Sequence, residues 1–69
     1  MMTRYLMTAT EATSRATEMR AATNELTTAD KSTLLRYLVK TSTGFEIIIL
    51  DDTPRFVVDF ANKFFTAVR

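Results

Sequence analysis

The sequence predicts an α+β fold of order β-α-α-β-α: a small two-stranded, antiparallel sheet with three helices, completed by dimerisation. Three observations lead there. Residues 45–50, Phe-Glu-Ile-Ile-Ile-Leu, are the densest apolar and β-branched stretch of the chain. From Phe56 onward the residues sort on a helical wheel. Phe56, Val57, Val58, Phe60, Ala61, Phe64, Phe65, Ala67 and Val68 fill an arc of about 200°, and Arg55, Asp59, Asn62, Lys63, Thr66 and Arg69 fill the rest. Between the amino end and the apolar run lies a long stretch rich in Ala, Glu and Arg, interrupted once at Leu26-Thr27-Thr28-Ala29-Asp30.

Residues 1–9 hold Tyr5, Leu6 and Met7 among threonines, with enough aromatic and β-branched character for a strand. Thr10 is then the expected N-cap of a first helix, with Glu11 in the first turn at the positive end of the helix dipole. Ala12, Ala16, Met19, Ala22 and Leu26 form one narrow apolar stripe along it. Glu11, Glu18 and Glu25 recur at sevens, and Arg15 is placed to pair with Glu11 at i+4 and with Glu18 at i+3. The interruption supplies a new cap at Thr28 with Asp30 behind it, which starts a second helix over residues 29–40. Leu34, Leu35, Leu38 and Val39 face one way there, and Thr33, Arg36 and Lys40 the other. Residues 41–44 close it, with the single glycine where a left-handed turn is easiest.

The strand over residues 45–50 is apolar without alternation, as in a strand buried on both faces. Asp51-Asp52 end it, and Thr53-Pro54 read as the N-cap and first-turn proline of a last helix. Two helices of similar length return the chain to the end it left, which makes the two strands antiparallel. Without the break at residues 26–30, one crossover helix would make them parallel.

Sixty-nine residues with 46% apolar and 25% charged side chains make one domain, residues 1–69, with a thin core worth roughly 3–5 kcal/mol net. No cysteine means no disulfide and no thiolate zinc site, and no histidine removes the commonest acid/base group at neutral pH. A net charge of +1, with basic residues scattered from Arg4 to Arg69, gives no field to attract nucleic acid. The amino end does not read as a signal peptide, and the longest aliphatic run falls far short of the roughly 20 residues of a membrane span. The expectation is a cytoplasmic chain with no membrane, cofactor or metal requirement.

Few residues invite chemistry. Asp51 and Asp52, with Glu46 upstream, resemble acidic metal ligands at a strand end, but a solvated turn explains them as well. Lys31, Arg36 and Lys40 would be the reading face if residues 27–40 were the second helix of a helix-turn-helix. The phenylalanines could stack bases, yet all five occupy core-facing positions. Two surfaces stand out as interface candidates. Thr13, Thr17, Arg20, Ala21 and Asn24 form a small, mostly uncharged helix face open to close approach. On the last helix, Phe56, Val58, Phe60, Phe64 and Phe65 exceed what two strands can cover. The resulting expectation is a non-catalytic protein-binding module, an adaptor, inhibitor or regulator, acting as a homodimer. The alternative is a small dimeric DNA-binding regulator.

Overall fold

The computed structural model describes residues 2–68. Met1 and Arg69, at the ends of the first predicted strand and the last predicted helix, lie outside the described residues. Within them the chain runs β1 (Thr3–Thr8), α1 (Ala9–Asn24), α2 (Thr28–Tyr37), β2 (Leu38–Lys40), β3 (Gly44–Ile49), α3 (Arg55–Phe64) and β4 (Thr66–Val68). The strands form one four-stranded sheet of order β2-β3-β1-β4, with β1 antiparallel to β3 and β4, and β2 antiparallel to β3. This is the split β-α-β connectivity of ferredoxin-like sheets, with the first crossover helix broken in two.

Four strands replace the predicted two, and both additional ones lie where the sequence predicts helix ends. The helix expected over residues 29–40 stops at Tyr37: Leu38 still donates its N–H to the Leu34 carbonyl but already has extended dihedrals. Leu38 then packs against the core while Val39 points outward, the alternation of a strand. Residues 41–43 turn the chain into β3. The Thr41 N–H donates to the Gly44 carbonyl at 2.8 Å, and the Thr41 hydroxyl accepts from the Gly44 N–H at 3.1 Å. Gly44 is therefore the first residue of β3 and not a helix stop. It lies so close to β1 that a Cβ there would meet the Met7 carbonyl oxygen at 2.1 Å.

The last helix likewise ends at Phe64 instead of running to the carboxyl end. Phe65 is extended, with φ −112° and ψ 164°, and residues 66–68 pair with β1. Over Phe65-Thr66-Ala67-Val68 the helical and the alternating patterns coincide: Phe65 is buried and Ala67 packs on the core, while Thr66 and Val68 are exposed. So short an apolar run fits either period. The open edge of β1 decides, because its unpaired backbone groups gain partners from β4. Since the sheet is completed within one chain, it needs no second copy to reach four strands.

Helix starts also shift slightly. Thr8, not Thr10, caps α1 in a reciprocal box: its hydroxyl accepts from the Glu11 N–H at 3.1 Å, and the Glu11 carboxylate accepts from the Thr8 N–H at 2.9 Å. Thr27, not Thr28, caps α2 by accepting from the Asp30 N–H. At α3 the N-cap is Pro54, with no side-chain bond, and the Thr53 hydroxyl accepts from the Leu50 N–H instead. Of the two partners foreseen for Arg15, the structure shows Glu11, at 3.3 Å, and the other amino group of Arg15 donates to the Phe64 carbonyl. That cation at the carboxyl end of α3 ties the two helices together.

All three helices lie on one face of the sheet. Tyr5, Met7 and Ile47 point into them and are buried with Leu34 of α2 and with Val57, Phe60, Ala61 and Phe64 of α3, at spacings of three and four along that helix. Helix α1 contributes only the rim of Ala12, Met19 and Ala22, with Leu26 just beyond it. The Tyr5 hydroxyl crosses from β1 to α3 and donates to Asn62 Oδ1 at 2.6 Å.

The capping box makes stability acid-sensitive. Accepting from the Thr8 N–H holds the Glu11 carboxyl below its ordinary 4.5; partial burial opposes this, and Arg15 and the Thr8 hydroxyl reinforce it. A lowered folded pKa gives stability that is complete above pH 4.5 and is lost as the pH falls through the lowered value. Glu11→Gln keeps an acceptor for the Thr8 N–H but no longer titrates, so its urea midpoint is expected to fall less steeply below that pH than the wild type's. Parallel profiles would contradict the assignment. Thr8→Ala, which removes the other half of the box, is expected to cost about 1 kcal/mol at any pH.

Candidate functional site

The structure separates the residues that the sequence grouped as an interface. Thr13, Thr17, Arg20, Ala21 and Asn24 all lie exposed on the outer face of α1, where the Thr13 hydroxyl turns back to the Ala9 carbonyl. Phe60, Phe64 and Phe65 are buried in the chain's own core, and Phe56 and Val58 are half-buried. The apolar surplus attributed to the last helix is thus largely covered inside the molecule. What remains is a shallow cleft of about 160 Å³ between α1 and α3, floored by Ala22, Leu26, Phe56, Phe60 and Phe64 and rimmed by Asp59 and Lys63. It is smaller than the few hundred Å³ of a typical small-molecule pocket.

Lys31, Arg36 and Lys40 are not brought onto one helix. Lys40 belongs to β2 and lines a cleft of about 320 Å³ with residues 41–45 and the start of α1. Lys31 lines a different one, with Thr23, Leu34 and Leu35. An anion in the Lys40 cleft would meet an α1 terminus already satisfied, since the Ala9 N–H donates to the Thr43 carbonyl and Thr8 and Glu11 cap each other. Asp51 and Asp52 are exposed in the turn after β3, and Glu46 is held by Arg4. Among the described residues no three acidic side chains gather as a metal site, and no helix is long and apolar enough to cross a membrane.

The surface that sequence reasoning missed is the other side of the sheet. Alternation puts Arg4 and Leu6 of β1, Glu46 and Ile48 of β3, Val39 of β2, and Thr66 and Val68 of β4 opposite to the helices. Two rows result from the register: Val39, Glu46, Leu6, Thr66, and beside it Ile48, Arg4, Val68. Met2 and Leu50 extend the same alternation just beyond the strand ends. Four of the five large apolar side chains that stay exposed among the described residues belong to this set: Met2 at 64%, Val39 at 49%, Leu50 at 48% and Val68 at 42%. The fifth, Leu35, is on α2.

At the centre of this face, Arg4 Nε donates to Glu46 Oε2 at 2.9 Å, with the Glu46 side chain only 18% exposed. Such a surface, apolar at its borders with one cation and one anion in the middle, can bind by area and be placed by charge. The four central positions carry no aromatic ring, because Tyr5 and Phe45 point to the helices, whereas sheet faces that bind single-stranded RNA stack bases on aromatics there. The sequence signal for this face was the pair of outward positions in each central strand, visible only once the sheet is known to have helices on a single side. Compared with protein-family models, with curated proteins and with solved structures, the chain matches none.

Proposed function

We propose that this chain is a small non-catalytic protein-binding module, acting as a homodimer, whose contact surface is the open face of its sheet. One observation carries the reading: nearly all the exposed large apolar side chains fall on that face, around a single ion pair. Monomeric proteins seldom gather most of such side chains on one face without a partner for it. The lack of histidine and cysteine, the even charge balance and the absence of stacking rings at the face's centre favour protein over substrate or nucleic acid.

The test uses the tagged chain as bait in extract of its native host, beside the double variant Val39→Lys/Val68→Lys and a control on the opposite side, Thr17→Lys. The wild type and Thr17→Lys are expected to retain the same proteins, further copies of the chain included, and the double variant to lose them. A double variant that retains the wild-type set would overturn the reading.

A further inference from the structure

We infer that the occupant of the open sheet face is a second copy of this chain, docked face to face about a two-fold axis with each Arg4 set against Glu46 of the partner subunit. The inference rests on the proposed homodimer through the open face and adds how the two copies meet there. The four central positions supply the first reason. The register places Arg4 beside Ile48 and Leu6 beside Glu46, so that the two charges occupy one diagonal of a square and the two aliphatic side chains the other.

A two-fold axis in the interface plane along the Leu6/Ile48 diagonal maps this square onto itself with every pairing favourable. Arg4 then lies over Glu46 of the partner subunit, while Leu6 meets Leu6 and Ile48 meets Ile48. Along the other diagonal, arginine would stack on arginine. Along or across the strands, each charge would meet an aliphatic side chain. Arg4 and Glu46 already pair within the chain; a partner of a single charge sign would attract one of them and repel the other, whereas a second copy sets an opposite charge against each. The axis that works turns the strands of the two sheets steeply across one another, which is the orthogonal class of sheet packing. It makes the contact isologous, the commonest symmetry of small assemblies.

Exposed apolar surface is the second reason. Two six-residue and two three-residue strands, about 4.8 Å apart at about 3.3 Å per residue, give roughly 290 Å² of plan area. That places the contact among small, weak interfaces, yet a second copy on it would cover Met2, Val39, Leu50 and Val68. The Cα atoms span 30 × 28 × 18 Å, and the open face is the side of the sheet that the helices leave uncovered. The dimer would turn both helix layers outward, leaving Thr13, Thr17, Ala21 and Asn24 exposed on both outer sides.

Light scattering on the purified full chain at tens of micromolar, with Arg4→Glu, Glu46→Arg and their equimolar mixture, tests this. The wild type is expected at twice 7.8 kDa. Each reversal alone is expected to weaken the dissociation constant at least about tenfold, since like charges then face each other. The mixture is expected to return to the dimer mass, because every cross-interface pair is again opposite in sign. Mixing cannot repair the ion pair within a chain, so this recovery is specific to contact between copies. If a reversal unfolds the monomer by circular dichroism, Arg4→Ala and Glu46→Gln replace it, both again expected to weaken the dimer. A wild-type monomer would overturn the second copy as occupant while leaving the bait experiment to decide the face itself. A dimer indifferent to these substitutions, or a mixture that stays monomeric, would overturn the arrangement.

Discussion

Gly44→Ala is expected to abolish cooperative folding. Gly44 pairs with Thr8 at the end of the β1–β3 ladder, and an added Cβ would lie 2.1 Å from the Met7 carbonyl oxygen and 2.8 Å from both the Thr8 carbonyl carbon and Cα. All three are backbone atoms, so no rotamer change relieves the overlap. Nor can Gly44 simply retreat, since its N–H and carbonyl are both bonded to Thr41. Overpacking costs about 1–3 kcal/mol when side chains can adjust, and moving a central strand costs at least the top of that range. A core of this size holds only about 3–5 kcal/mol net. Thermal and urea unfolding followed by circular dichroism should show a broad transition or none. A sharp transition at the wild-type midpoint would mean that the strands do not approach as described.

Phe64→Ala is expected to destabilise the monomer itself by about 3–5 kcal/mol. Its ring is 3% exposed and lies 4.9 Å from that of Phe60, so truncation leaves a void between α3 and the sheet. The experiment separates two uses of this residue. If Phe64 belongs to the chain's own core, its loss removes most or all of the cooperative urea transition in the wild type and in the Arg4→Glu background alike, at any protein concentration. If it contacts a second copy, the loss vanishes in a monomeric background. The burial of Phe60, Phe64 and Phe65 implies the first result.

Local signals in the sequence located the three helices and the two central strands, because each rests on neighbours in the chain: the run at residues 45–50, the 3.6-residue spacing of Val57, Phe60, Ala61 and Phe64, and the break near Thr27. The width of the sheet was not legible. Leu38-Val39-Lys40 and Thr66-Ala67-Val68 are three-residue strands at the two edges, too short for their period to differ from a helix turn. What fixes them is pairing with β3 and β1, distant in sequence. That error carried into the site. A two-stranded sheet leaves both the phenylalanines of the last helix and an open sheet edge as surfaces for a second copy. With four strands, those phenylalanines fill the core, and the unpartnered surface moves to Leu6, Val39, Ile48 and Val68. Thr13, Thr17, Ala21 and Asn24 were correctly read as one helix face, and the structure adds that it is exposed, without adding a partner for it.

The most direct test of where this chain makes its contacts is nuclear magnetic resonance on the wild type, comparing amide and methyl shifts at dilute and at high concentration. Changes confined to Arg4, Leu6, Val39, Glu46, Ile48 and Val68 are the expected result, with the outer face of α1 silent. Changes at Thr13, Thr17, Ala21 and Asn24 with a silent sheet would contradict it.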